Sequence, residues 1–418
     1  MRFVHAADIH LDSPLTGLRS YEGAPVEMLR SATRAAFTKL IDEAIAEQVD
    51  FLVIAGDLYD GSWRDHNTGI YFVKEMGRLK KAGIPAFILY GNHDAESEMT
   101  KSLVMPDNVS VFETRRASTF KLDRLNVALH GRSFKTAATT ENLVPNYPDP
   151  IPNWLNIGVL HTALEGNSAH ARYAPCEVAE LHAKGYDYWA LGHVHDYWHD
   201  VKGPSNIVFP GNLQGRHIRE TGPKGAVLVT ADENGIQKVD RLFVNVLRWT
   251  LREVDVSAAG NLEEVARLVG ASLESLLDES EGLPQAVRVV LTGKTPAHGE
   301  LFGMDSQMRA EILGQAAALG NERLWIEKVK VQTSSLDSEE KRRQRQDALA
   351  DLQSVLEGAE QDPDLIRQMQ EAFAPLLGKA PHEMFATVPS LKQLKEGKLA
   401  ILIQEVRPSL LDYIETKA

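Results

Sequence analysis

Five short groups of side chains able to hold divalent cations follow one another through the first half of this 418-residue chain. Asp8 and His10 lie in Asp8-Ile9-His10, Asp57 in Gly56-Asp57-Leu58-Tyr59-Asp60, and Asn92 in Gly91-Asn92-His93-Asp94. His161 stands alone, and His193 and His195 close the series in Gly192-His193-Val194-His195. Carboxylate, amide and imidazole donors in this mixture suit manganese, iron or zinc better than calcium or magnesium, which prefer oxygen alone. The donor number is enough for two cations. Held about 3.5–4 Å apart, two cations clamp a phosphate, activate a water and stabilise both the attacking and the leaving oxygen. His93 adjoins the ligand Asn92 but should point elsewhere, which suits a general acid for the leaving group, with Asp94 expected to fix its tautomer.

These donors need elements that bring them to one place. Each group follows an apolar run: Phe51–Ala55 before the second, Pro85–Tyr90 before the third, Leu155–Leu160 before His161, and Tyr186–Leu191 before the last pair. Runs of this kind predict strands covered on both faces. Between them, Met28–Ala46 and Ile70–Lys81 carry apolar residues at helical spacing. The alternation predicts an α/β domain over 1–245 with ligands in the crevice at the carboxyl ends of its strands. Glycines stand directly before the ligand loops at 56, 91 and 192, where the backbone must turn sharply. Beyond a further apolar strand, Pro210–Arg219 forms a polar, basic loop in which Arg216, His217 and Arg219 are candidates for binding substrate phosphates.

Residues 246–333 change character. Strands are expected at Leu247–Val256, Gln285–Leu291 and Arg323–Val331, with helices at Leu262–Leu277 and Gln307–Leu319. This β-α-β-α-β string holds no cluster of ligands and reads as a small α/β cap. From 334 to 418 the chain reads as helical. Ser335–Ser338 offers an N-cap ahead of Glu339–Leu356, and Pro363, Pro375, Pro381, Pro389 and Pro408 divide the remainder into short helices.

Bulk properties narrow the field. The net charge of −13 divides into −4 over residues 1–250 and −9 over 251–418. The acidity therefore lies mostly away from the ligands, and argues against broad coating of DNA without excluding a local basic track. No apolar run is long enough to cross a bilayer, and the opening segment reads as a strand ending in ligands, not as a cleaved signal. The single cysteine, Cys176, rules out an internal disulfide and fits a reducing compartment, so cytoplasm is the expected location.

Each motif has a bland alternative. Asp-x-His occurs by chance, Gly-Asp usually marks a turn, and a lone histidine more often packs or faces solvent. The conjunction decides: five groups in order, each behind a β-like run. For His5, His66, His130, His170, His182, His199, His298 and His382 the bland reading prevails, although His130 also has a place at the cleft as an option. Cys176 reads as a packed thiol, and Lys341-Arg342-Arg343-Gln344-Arg345 as a solvated helix face.

Taken together, these motifs resemble the signature of the calcineurin-like metallophosphoesterase superfamily: D-x-H, GD-x-x-D, GNH-D/E, H and GH-x-H. The resemblance implies a four-layer α/β/β/α sandwich with a dinuclear site. Asp8, His10, Asp57, Asn92, His161, His193 and His195 would be its metal ligands, and His93, oriented by Asp94, its acid. Within the superfamily, the opening Phe3-Val4-His5-Ala6-Ala7-Asp8-Ile9-His10-Leu11-Asp12 and the Gly56–Asp60 motif are similar to those of SbcD-type DNA-repair exonucleases. The loop Pro210–Glu220 resembles the bacterial YhaO group. That branch implies two manganese ions, DNA as substrate, an SMC-like coiled-coil ATPase docked on the helical region, and homodimerisation as an option. A small-molecule or cyclic-nucleotide phosphodiesterase shares the same site, but would scarcely need a cap and helical tail. The protein-phosphatase branch fits less well, because Gly61-Ser62 follows Asp60 where Arg-Gly is usual. A non-catalytic DNA-end or ATPase-binding scaffold would not need an intact His93.

Overall fold

The computed structural model describes residues 1–13, 26–60, 66–96, 104–164, 173–301, 305–319 and 323–336. Beyond these it describes 355, 358–359, 361–379, 385, 389–404, 406 and 410. The expected helix Glu339–Leu356 and the basic run 341–345 lie outside the described residues, apart from Val355.

The apolar runs become strands buried on both faces. One six-stranded sheet contains β1 (Arg2–Ala6), β2 (Phe51–Ala55), β3 (Ala86–Leu89) and β4 (Val109–Val111). The other contains β5 (Ser118–Leu122), β6 (Val127–Gly131), β7 (Leu155–His161), β8 (Tyr188–Gly192), β9 (Trp198–Asp200) and β10 (Asn206–Phe209). The chain then returns to the first sheet with β11 (Gly225–Asp232) and β12 (Gly235–Phe243). The strand orders are β12-β11-β1-β2-β3-β4 and β5-β6-β7-β8-β10-β9. β1, β2, β3 and β4 pair in parallel, as do β6, β7, β8 and β10. Parallel neighbours deliver their carboxyl ends to the same edge.

Period-two alternation divides the apolar side chains of the first sheet between two cores. Val4, Leu52, Ile54 and Ile88 pack against α1 (Val26–Ala46) and α2 (His66–Lys81) through Phe37, Leu40 and Phe72. Phe3, Val53 and Phe87 face the second sheet and meet Leu129, Val159 and Tyr188. The outer face of the second sheet is covered by Phe134, Leu143, Tyr147 and Leu181, the last on the short helix Val178–Ala183. Four layers result, the fourth made mostly of loops.

The chain divides into two compact units, the first comprising Met1–Thr250 and Leu283–Ala286. The other holds most of a three-stranded sheet in the order β13 (Arg248–Asp255), β14 (Gln285–Lys294), β15 (Leu324–Ser334). Helices Leu262–Glu279 and Asp305–Ala318 supply Val265, Val269, Met308 and Ile312 to its core with Val287, Val289 and Ile326. Asn261 caps the first of these helices by accepting from the Glu264 N–H. The same unit holds the helices Pro363–Lys379 and Pro389–Lys395. Pro363 and Pro389 open helices, as proline can at a first turn. Pro375 departs from the sequence expectation: it sits inside Pro363–Lys379. It lacks one backbone donor, but the helix runs through it.

Candidate metal centre

All seven expected ligands converge at the carboxyl edge of the two sheets. The first sheet supplies Asp8 and His10 beyond β1, Asp57 beyond β2 and Asn92 at the start of the short helix α3 (Asn92–Glu96). The second supplies His161 from the end of β7, and His193 and His195 beyond β8. The loops are bound to one another by their backbones: Asp8 N–H donates to Gly56 O at 3.0 Å, His10 N–H to Asp57 O at 3.0 Å, and Thr162 N–H to Gly192 O at 3.0 Å.

This convergence requires unusual backbone. Asp8, His10 and Asp57 have φ of 49°, 47° and 52°, and His193 reaches 101°. Left-handed conformations of non-glycine residues cost on the order of 1–3 kcal/mol each and gather at functional sites. Three glycines are required by space as well, among them Gly192, where a Cβ would lie 2.0 Å from Ala55 O. A Cβ at Gly56, whose φ is 101°, would lie 2.2 Å from His161 Nδ1, and one at Gly91 would lie 2.4 Å from Asp57 Oδ1.

The donors form two groups. In one, Asp8, His10 and His195 offer ligand atoms within 4.8 Å of one another. His10 Nε2 and His195 Nε2 are 3.3 Å apart, and His195 Nε2 is 3.9 Å from Asp8 Oδ1. In the other, Asp57, His161 and His193 converge in the same way, and the Asn92 amide oxygen is 3.0 Å from His161 Nε2. Asp57 joins them. Its Oδ1 accepts from the His93 backbone N–H at 3.0 Å, while its Oδ2 lies 3.4 Å from His161 Nε2 and 3.9 Å from His10 Nε2.

The donor set fits divalent cations. Buried Asp8 and Asp57 lie at one point, where two uncompensated carboxylates would each cost several kcal/mol. Burial pushes the Asp8 carboxyl up, against the pull of His195 and His161, and Asp57 adds to the rise. Burial acts upward on Asp57 too, but the charge and hydrogen bond of His161, with His10, hold it well below the usual carboxylate range. His161 answers this. Burial lowers it, but Asp57 carries it to about 9. Burial and the nearby Arg216 charge keep His10 well below its ordinary value, hence neutral with a free lone pair. Tautomers are prepared as well. His161 Nδ1–H donates to Ala55 O at 3.0 Å and His195 Nδ1–H to Glu220 at 2.8 Å, so Nε2 of each ring is turned toward the centre, where it would face a cation.

His93 stands beside the first group, its ring 5.0 Å from that of His10 and its side chain 39% exposed. Its partner corrects the sequence expectation. His93 Nδ1 lies 2.9 Å from Asp60 Oδ1. Asp94 is turned into the loop below, where its Oδ2 accepts from the Leu58 and Gly91 N–H groups and its Oδ1 from Tyr59 N–H. Both of its oxygens thus serve the backbone that shapes the Asp57 turn. Burial and then the Asp57 charge raise Asp94 to about 7, against those three donors. The hydrogen bond that His93 donates to Asp60 raises it, and burial opposes this.

Of the basic loop, Arg216 points inward: its NH2 lies 2.9 Å from Glu220 Oε1 and 3.4 Å from His195 Nδ1. His217 and Arg219 are exposed. His130 is buried in β6 between Thr119 and Asn156, and Cys176 is a buried thiol 3.3 Å from Thr162 Oγ1. Two residues of the site were not singled out by sequence reasoning. Asp60 carried a signal, being the last residue of the Gly56–Asp60 motif. Glu220 carried none beyond closing the basic loop.

A two-sheet α/β sandwich with this donor set at its carboxyl edge defines a metal-dependent phosphoesterase of the dinuclear class. Comparison with known proteins agrees. The family described as calcineurin-like phosphoesterase matches residues 1–197, and the family described as metallophosphoesterase YhaO, middle domain, matches 249–334. The uncharacterized metallophosphoesterase YhaO of Bacillus subtilis is 34% identical over 71% of this chain and 72% of its own length. The DNA double-strand break repair protein Mre11 of Methanopyrus kandleri is 29% identical over 69% of this chain and 67% of its own. A dimetal phosphatase structure from Danio rerio aligns with a TM-score of 0.35 at 13% identity, over 59% of this chain and 98% of that one. The chain belongs to the calcineurin-like metallophosphoesterase family, in its YhaO group, and is related to the Mre11 proteins.

Proposed function

We propose that this chain hydrolyses DNA phosphodiester bonds as an exonuclease of the double-strand-break repair type, in the cytoplasm, using two divalent cations, with manganese as the metal. Asp8, His10 and His195 would hold one cation, Asn92, His161 and His193 the other, and Asp57 both. Bound there, the cations would supply Lewis acidity and an activated water. The chain's own groups do the rest. His93, protonated and held by Asp60, delivers its proton to the leaving oxygen. Arg216 turns a guanidinium edge toward the centre to meet the scissile phosphate, and exposed His217 and Arg219 on the same loop meet the flanking phosphates.

The observation that carries the enzymatic reading is the intact His93–Asp60 pair beside His10. A scaffold has no need of a raised, accessible imidazole. Relatedness to proteins named for double-strand break repair supports DNA as substrate. We assign the helical region to an SMC-like coiled-coil ATPase. An apolar groove of about 460 Å³ there, lined by Leu365, Met369, Phe373, Leu394, Leu402 and Ile403, supports that partner. No described helix is long and apolar enough to cross a membrane.

The test is digestion of end-labelled linear single- and double-stranded DNA by purified protein with manganese, magnesium or EDTA, beside His93→Ala. Manganese-dependent degradation that the variant loses is expected. Hydrolysis of a small phosphodiester without any DNA cleavage would overturn the DNA assignment and move the substrate to a small molecule.

A further inference from the structure

Glu220 lies 25 residues beyond the nearest ligand in sequence and belongs to none of the ligand motifs. It is 5% exposed, yet it is one of the most heavily used carboxylates in the molecule. Its Oε1 accepts from His195 Nδ1–H at 2.8 Å and from Arg216 NH2 at 2.9 Å. Its Oε2 accepts from Asn212 Nδ2 at 3.0 Å and from the Arg216 backbone N–H at 2.7 Å. With Arg216 Nε at 3.4 Å from Oε2, five donors satisfy a buried charge that would otherwise be prohibitive. Arg216 extends the arrangement, its NH1 reaching Ser13 Oγ at 3.4 Å and Asp60 at 4.0 Å. Ser13 in turn donates to Asp60, the carboxylate that holds His93.

His161, in the other donor group, is held differently. His161 is buried completely and fixed by a backbone carbonyl of β2. The His195 side chain is 20% exposed and takes its orientation from a side chain on a loop. A carboxylate behind a ligating imidazole fixes its ring and raises its basicity, and removing such a partner typically costs about 10–100-fold in metal affinity.

We infer that Glu220, braced by Arg216, is a positioning residue that sets the cation affinity of the Asp8–His10–His195 position alone, leaving the Asn92–His161–His193 position unaffected. The inference rests on the two-cation reading of the site. Glu220 touches neither cation nor substrate; it acts through His195.

The experiment is a manganese titration of the full chain, following free Mn²⁺ by its electron paramagnetic resonance signal, for wild type, Glu220→Ala and the isosteric Glu220→Gln. Wild type should bind two ions. Glu220→Ala should keep one at wild-type affinity and bind the other about 10–100-fold more weakly. Glu220→Gln keeps an oxygen for His195 without the charge, and should fall between. The ion retained at full affinity shows that the variant is folded. Two ions at wild-type affinity in Glu220→Ala, or equal weakening of both in both variants, would overturn the inference. A wild type that binds a single ion would overturn the two-cation reading itself, and the inference with it.

Discussion

The two donor groups of the metal centre differ in how one histidine of each is braced, His161 by a backbone carbonyl and His195 by a side chain. Asp57, Asn92, His161 and His193 are all buried, with His161 at the end of a central strand and fixed by backbone. The rings around them are packed edge-on, Phe134 against His161 and Tyr173 against His193. Asp8 and His10 are as deeply buried, but His195, which completes the other group, is partly exposed, with His93 and Asp60 nearby and a loop carboxylate behind it. His161 is itself part of a strand of the sandwich. His195 takes its orientation from the loop carboxylate Glu220, and its group is the one beside His93, the proposed proton donor.

Substitutions should expose this division. Asp57 serves both groups, so Asp57→Ala should abolish binding at both positions and all hydrolysis, as read by metal analysis after gel filtration. Retention of two ions would dissolve the bridge. Next in size, His93→Ala should keep both ions and lose about 100–10,000-fold in turnover, the usual worth of a positioned acid. Comparable turnover would remove His93 from the chemistry. Replacing one imidazole in each group sharpens the contrast: His195→Ala should lose one ion and leave the thermal midpoint of the metal-free protein nearly unchanged. His161→Ala should lose the other ion and lower that midpoint by several degrees, because a buried side chain is deleted.

Asp60→Asn should reduce turnover less than His93→Ala and shift the pH profile. Asp60 raises His93, and an acid must be protonated, so activity falls as pH rises through the His93 value. Removing the Asp60 charge should move that alkaline limb to lower pH; an unmoved limb would mean another group donates the proton.

The smallest effect concerns the floor beneath both groups. His5 is buried between the sheets, bonded to the Tyr188 hydroxyl and the Leu191 carbonyl, and burial lowers it to about 3 against the latter bond. The unfolded chain takes up a proton below the ordinary value of 6.5, while the folded state stays neutral down to about 3. Stability is therefore full above 6.5 and is lost as pH falls through that window, by about 1.4 kcal/mol per pH unit. Urea unfolding between pH 7 and 5 should show wild type losing stability faster than His5→Gln by about that slope.

Much of this was legible in the sequence, for a physical reason. Phe51–Ala55 is apolar throughout and Leu155–Leu160 is apolar but for Asn156, so a strand covered on both faces is what hides them. A donor placed directly after such a run must then lie at the sheet edge. Direction within a turn was not legible. His93 and Asp94 are neighbours, but one turn of α3 sends them apart, Asp94 into the backbone of 58–59 and His93 toward Asp60. Glu220 reaches His195 only because β10 lies beside β8, a pairing that no local pattern encodes. Pro375 shows the converse limit: a residue that usually ends a helix is accommodated inside one.

The most direct measurement is anomalous diffraction at the manganese edge from crystals grown with Mn²⁺. Two peaks about 3.5–4 Å apart are predicted, one among Asp8, His10 and His195, the other among Asn92, His161 and His193, with Asp57 between them. A single peak, or two peaks held by other residues, would contradict the division of the centre into two bridged positions.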